Sequence, residues 1–375
     1  MAAATDKIHP TDKMTSRQRL LAAYGGREVD RLPYWAKVAN STWLLSQPEE
    51  IRKLSARELL DYIYADGIFY APGGIAVTRP HVSTQATRKD NTEVRVTHTP
   101  DGDLVEKWAH DPYTGSWHPA EFPVKGLQDI QRLRWAYKDV KIEPDAGQID
   151  NGRRLRTDIG ERGILTTGWG TSPLMDLVEH IVGPVNTPLM LFDHPEEMDE
   201  LIDLMHRSCL ARAGAVARYT AADAVVSVEN TSTTLISPQQ FEKYCYRHLC
   251  DYGRAIEAEG QMHELHMCGH TRVLLPMINS IPAASMEAFT SPPLGNTRLV
   301  DGRTAAASKT LVGGTNVNVW LWPLQRIKQY VIDELAACRD NRRIVLTTAG
   351  IAPPGCPAEK FRTVGQWMPT VQLKM

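Results

Sequence analysis

The sequence predicts a single (β/α)8 (TIM) barrel with a β-hairpin insertion after the second strand. Three observations predict it. Short β-prone runs recur eight times along 375 residues. Amphipathic stretches of helix length lie between the later runs, as crossover helices joining parallel strands require. Pro/Gly clusters (Pro72-Gly73-Gly74, Ser291-Pro292-Pro293, Pro353-Pro354-Gly355) follow the runs, where a barrel keeps the loops that build active sites.

Taken in order, residues 1–14 are polar and lack an apolar h-region, so they read as a flexible leader and not as a signal peptide. Residues 15–375 form one domain. Its first helix opens at Thr15-Ser16, places Leu20, Leu21 and Tyr24 on one face, and ends at Gly25-Gly26. The candidate strands are residues 32–38, 67–71, 163–167, 224–229, 262–267, 285–289, 310–314 and 344–348. Helical patterns at 195–219, 238–259 and 323–337 each open on a proline or a polar cap. Residues 78–156 break the alternation: runs at 93–96 and 104–108 flank Asp101-Gly102 and predict the hairpin.

Composition narrows the function. Lys+Arg 42 against Asp+Glu 44 leaves a net charge of -2, with no basic surplus for nucleic acid or an anionic membrane. No apolar run approaches the roughly 20 residues that span a bilayer, so the expectation is a cytoplasmic enzyme acting on small molecules. The six cysteines are too few and too irregularly spaced for a disulfide framework. Each is a buried thiol, a ligand or a nucleophile.

The densest group of metal-capable side chains is Gln261-Met262-His263-Glu264-Leu265-His266-Met267-Cys268-Gly269-His270. Side chains alternate along a strand, so His266 and Cys268 point the same way and offer nitrogen and thiolate to one ion. Zn²⁺ takes such donors at about 2.3 Å (sulfur) and 2.0–2.1 Å (nitrogen), and two ligands at a strand end leave room for a third and for substrate. Gly269 lets the chain turn sharply after the pair. Glu229, at the end of the preceding strand, is a candidate third ligand.

Further motifs carry a resemblance across almost the whole chain. Thr15-Ser16-Arg17-Gln18-Arg19-Leu20, then Val29-Asp30-Arg31-Leu32-Pro33, and later Ile236-Ser237-Pro238-Gln239-Gln240-Phe241, resemble the uroporphyrinogen decarboxylase superfamily. Within it, the H-x-C-G of His266, Cys268 and Gly269 is similar to the zinc motif of corrinoid-dependent methyltransferases, the branch that includes methylcobalamin:coenzyme M methyltransferases. That resemblance implies a (β/α)8 barrel, a catalytic zinc, and a corrinoid (cobalamin) carried on a partner protein. It also implies a last zinc cysteine just before a G-I-A-P-like segment. This chain has Ala349 there and Cys356 seven residues later in the same loop, so Cys356 or Glu229 is expected to complete the site of His266 and Cys268. The decarboxylase proper carries arginines in its first-strand loop for substrate carboxylates, whereas this chain reads Pro33-Tyr34-Trp35-Ala36-Lys37-Val38.

His263 and Asn316 are the remaining catalytic candidates, and Trp169 and Asn230 the candidate cofactor contacts. The aromatic Tyr34, Trp35, Trp43, Phe69 and Tyr70, with Asn40, would suit a planar substrate or simply fill the core. The predicted activity is zinc-dependent methyl transfer between a corrinoid and a small donor or acceptor, leaning to demethylation of a methoxylated aromatic or a methylamine. Methylation of a thiol or pterin, and decarboxylation, are the alternatives. The sequence leaves homo-oligomerisation open.

Overall fold

The computed structural model describes residues 7–38, 41–112 and 115–375, so Asn40 lies outside it. Two barrel strands come first, β1 (Tyr34–Trp35) and β2 (Gly67–Tyr70). An insertion follows: β3 (Ile75–Thr78), β4 (Ser83–Lys89), β5 (Thr92–Thr99), β6 (Gly102–Asp111), β7 (Ser116–Glu121) and β8 (Lys141–Pro144). The barrel then resumes with β9 (Gly163–Gly170), β10 (Ala224–Val228), β11 (Met262–His266), β12 (Ser285–Phe289), β13 (Thr310–Gly314) and β14 (Ile344–Thr347). The barrel ladder runs β1-β14-β13-β12-β11-β10-β9-β2, with every neighbouring pair parallel.

The two ends of that ladder meet. The Asp66 N–H donates to the Tyr34 carbonyl at 2.6 Å, and its carboxylate accepts the Tyr34 N–H at 2.9 Å. Side chains of β1, β2, β11 and β12 line one cavity, so the sheet curls into the predicted (β/α)8 barrel. Strands packed between lumen and outer helices are apolar on both faces, and β12 and β13 are accordingly buried throughout. Among the described residues no helix is long and apolar enough to cross a membrane.

The bounds differ where the sequence signal is weak. β1 is two residues long instead of 32–38, since Pro33 has no N–H to give a ladder. The helix expected at 238–259 is a turn (Pro238–Gln240), a wide π turn (Phe241–Tyr246) and a regular helix (Arg247–Ala258). In the insertion, β5 and β6 pair across Thr99 and Gly102, but they form the middle of a four-stranded meander, β4-β5-β6-β7, and not a lone hairpin. β4 is exposed along its whole length, so it never needed the apolar alternation that marks a strand in sequence. β3 and β8 form a separate ribbon beside the barrel.

The helix Ser16–Tyr24 closes the bottom of the barrel. Thr15 and Gln18 form a capping box at its start. At its end the Tyr24 hydroxyl donates to Glu264 at 2.5 Å inside the lumen. Within the leader predicted for residues 1–14, Asp12 is buried and pairs with Arg19 (3.0 Å) and Arg31 (2.9 Å).

Close approach explains one helical glycine. A Cβ on Gly253 would overlap the Pro282 carbonyl oxygen and come within 3.0 Å of His263 Nδ1. Gly253→Ala is expected to cost about 1–3 kcal/mol through overpacking, read as a lower urea midpoint. An unchanged midpoint would show that the helix can shift at no cost.

Candidate active site at the barrel mouth

The C-terminal ends of the strands surround a cavity of about 220 Å³. Alternation along β11 turns Glu264 and His266 inward and His263 and Leu265 outward. Glu287 of β12 lies beside His266, and Lys37, just past β1, reaches in from the far side. Lys37 Nζ ion-pairs with Glu287 Oε1, and His266 Nδ1 is in direct hydrogen-bond contact with Glu287 Oε2. Below them Glu264 accepts from Tyr24 and, at 2.7 Å, from Ser285.

Charge in this confined space shifts the protonation equilibria. Burial would raise the Glu287 carboxyl, but Lys37 and His266 outweigh it and hold it at about 2. Burial would lower His266, but Glu287 and the Cys268 thiol outweigh it and raise the imidazole to about 9. Glu264, with Glu287 beside it and little countercharge, is pushed up mainly by burial. The result is a string, Lys37–Glu287–His266, whose last member is an imidazolium at neutral pH.

Cys268 follows the strand, and Gly269 turns the chain after it at φ 107°. The Cys268 thiol donates to Asn230 Oδ1 at 3.4 Å, and Asn230 Nδ2 donates to Glu179 at 2.9 Å. His266 and Cys268 are therefore together at the mouth. The other two predicted ligands are elsewhere. Glu229 is fully buried and accepts the Ser172 N–H (2.9 Å) and hydroxyl (2.5 Å), serving the start of the helix Pro173–Asp176; burial raises it to about 7. Cys356 is buried in the wall, where its thiol donates to the Trp320 carbonyl at 3.3 Å. Among the described residues no three His, Cys, Asp or Glu side chains are disposed to hold a metal. Catalytic zinc takes three protein ligands, so the predicted set does not fit the ion as arranged, and no step below passes through it.

Neither of the two other catalytic candidates lines the mouth cavity. His263 is buried on the outer face of β11; its Nδ1 donates to the Pro282 carbonyl at 2.8 Å, so Nε2 accepts the Ser227 hydroxyl at 2.7 Å. Burial lowers it to about 4 and keeps it neutral. Asn316 caps the turn Val317–Leu321 through Asn318 N–H and donates to Ser291 and Pro292. Trp169 donates to Ser227 at 2.8 Å and, with Asn230, borders a second cavity of about 330 Å³ beside the mouth. Val228 lines both cavities.

Sequence reasoning missed Lys37 and Glu287 as site residues. The available signal was a charge inside an otherwise apolar strand: Glu287 interrupts Ser285-Met286-Glu287-Ala288-Phe289, and Lys37 follows the apolar Tyr34-Trp35-Ala36.

Comparison with known proteins agrees with this architecture. A methyltransferase from Methanosarcina mazei superposes with a TM-score of 0.60 at 15% identity, over 94% of this chain and 98% of that one. No curated protein matches the sequence. The family match runs over residues 126–368, more than half the chain and spanning β9 to β14, and by it the chain belongs to the uroporphyrinogen decarboxylase (URO-D) family.

Proposed function

We propose that this protein is a methyltransferase that removes a methyl group from a small substrate and passes it to a corrinoid carried on a partner protein. The observation that carries the reading is the string Lys37–Glu287–His266 at the mouth of the barrel. When docked, the corrinoid supplies the cobalt centre that takes the methyl group. As the methyl carbon leaves, the oxygen or nitrogen it departs from keeps the electron pair of the broken bond and needs a proton. His266 is placed to give it. Glu287 engages Nδ1, so Nε2 is the ring nitrogen left for substrate, and the Lys37–Glu287 pair holds the ring and its charge in place. Solvent at the open mouth restores the proton afterwards.

Other features support this reading. Exposed apolar side chains, Tyr70 and Val228 at strand ends and Leu294 and Ile351 in loops on the same end, suit the apolar face of a macrocycle presented by a partner. Decarboxylation of a many-carboxylate tetrapyrrole is less well served, because among the described residues Lys37 is the sole Lys or Arg lining the mouth cavity and is already paired.

The test is anaerobic. Protein, chemically reduced cobalamin and a methoxylated aromatic are mixed and the visible spectrum is followed for conversion to methylcobalamin. Conversion that depends on protein is expected. A spectrum that stays unchanged with both methoxylated aromatics and methylamines would overturn the reading.

A further inference from the structure

The second cavity lies between the ends of β9 and β10, the helix Pro195–Tyr219 and the ribbon of β3 and β8. It is built for a ligand of mixed character. Arg79 and Arg212 both line it, and neither guanidinium has a carboxylate within ion-pair distance among the described residues. Arg79 is held by stacking on the Tyr137 ring at 4.8 Å. Asp176 also borders the cavity, but its oxygens accept from Tyr137 (3.3 Å) and His180 (3.2 Å), and it pairs with neither arginine.

Glu179 lines the same cavity. Its Oε2 accepts from Asn230 at 2.9 Å, while its Oε1 is buried with no hydrogen-bond partner. An orphaned buried carboxylate oxygen is costly and calls for a donor. Burial raises the Glu179 carboxyl from its ordinary value. Trp169, Tyr137 and Val228 supply aromatic and apolar wall to the cavity.

Resting on the methyl-transfer reading, we infer that this second cavity binds the methyl donor as a small aromatic carboxylate that also carries a hydrogen-bond donor. Its carboxylate sits on Arg79 and Arg212, its donor satisfies Glu179 Oε1, and its methylated end reaches past Val228 to His266. Guanidinium pairs suit a planar carboxylate. Two of them match one such group, not the many carboxylates of a tetrapyrrole. The geometry also links the cavity to the mouth chemistry, because Asn230 bonds both Glu179 and the Cys268 thiol. A bound donor on Glu179 therefore engages a chain of hydrogen bonds that runs through Asn230 to Cys268, two residues from His266.

Calorimetric titration with 3-hydroxy-4-methoxybenzoate and its uncharged amide, with no corrinoid present, tests this on the full chain. The acid is expected to bind wild type, and Arg79→Gln and Arg212→Gln each to weaken it roughly tenfold or more. The amide is expected to bind the wild type about as weakly as the acid binds the variants. Glu179→Gln reads the other end: it is expected to weaken the hydroxylated acid more than 4-methoxybenzoate. Both arginines are exposed, so their variants fold. No binding of the acid, equal binding of acid and amide, or arginine variants that bind like wild type would each overturn the inference. Failure of the methyl-transfer reading looks different: the acid binds through the arginines, but cobalamin is not methylated.

Discussion

Replacing His266 with asparagine is expected to lower methyl transfer from an aryl methyl ether by roughly 10²–10⁴-fold, the usual contribution of a positioned general acid. The expectation rests on the buried Glu287 and on Lys37, which meet His266 at the mouth and make the imidazolium its stable form up to about pH 9. The sign follows from the raised value: activity needs the protonated ring, so it is retained at lower pH and falls as pH rises through about 9. Glu287→Gln removes the chief cause of that shift, so the falling limb is expected to move toward the ordinary histidine range. A 4-nitrophenyl methyl ether offers an internal control, because its leaving group needs no proton. It should lose far less rate in the asparagine variant. A residue that only shaped the pocket would depress both ethers alike and leave the pH limb in place. Wild-type rates in His266→Asn would remove His266 from the mechanism.

How far the sequence reaches is set by period and by partner. β12 and β13 match their predicted bounds because fully buried strands show as short apolar runs. The helix Pro195–Tyr219 is legible for a similar reason, with a proline at its first position and an apolar face along its length. β4 left no trace, since its residues stay exposed and need no apolar alternation. Within the site, the two-residue period correctly sets His266 inward and leaves His263 outward, away from the cavity that His266 lines. Local spacing cannot say which distant group meets a strand end. Glu229 is one residue beyond β10 and looks available, yet Ser172, 57 positions away, takes both its oxygens. Cys356 shares a loop with Ala349, yet its side chain turns into the wall beneath Trp320. Conversely, the groups that do meet His266 come from β12 and from the chain after β1, and only closure of the barrel brings them together.

The second large effect belongs to the opposite end. Asp66→Ala is expected to cost about 3–5 kcal/mol of stability, the usual penalty for removing one partner from a buried charge network. Asp66 is fully buried; it pairs with Arg19 at 2.6 Å and Arg31 at 3.0 Å and accepts the Tyr34 N–H that helps join the ends of the ladder. Arg19 also holds Asp30 at 2.7 Å. The opening motif that resembles the superfamily, with Arg19, Asp30 and Arg31, thus ties the bottom of the barrel together and takes no part in the chemistry at the mouth. Acid exposes the network. Burial would raise Asp30, but Arg19 and the Met14 and Lys13 N–H groups hold it at about 2, and Asp66 is likewise lowered, by Arg31 and Arg19 against its burial. Both carboxyls titrate lower folded than unfolded, where the ordinary value is about 4. Their stabilisation is therefore complete above that value and is lost as pH falls toward 2. Urea midpoints measured from pH 7 down to the acid limit should fall faster for wild type than for Asp66→Ala, so the gap between them narrows. Asp66→Asn, which keeps the shape and can still accept the Tyr34 N–H, should lie between the two. A gap that stays constant with pH would show that the loss comes from packing, and that the charges at the base of the barrel do not hold it closed.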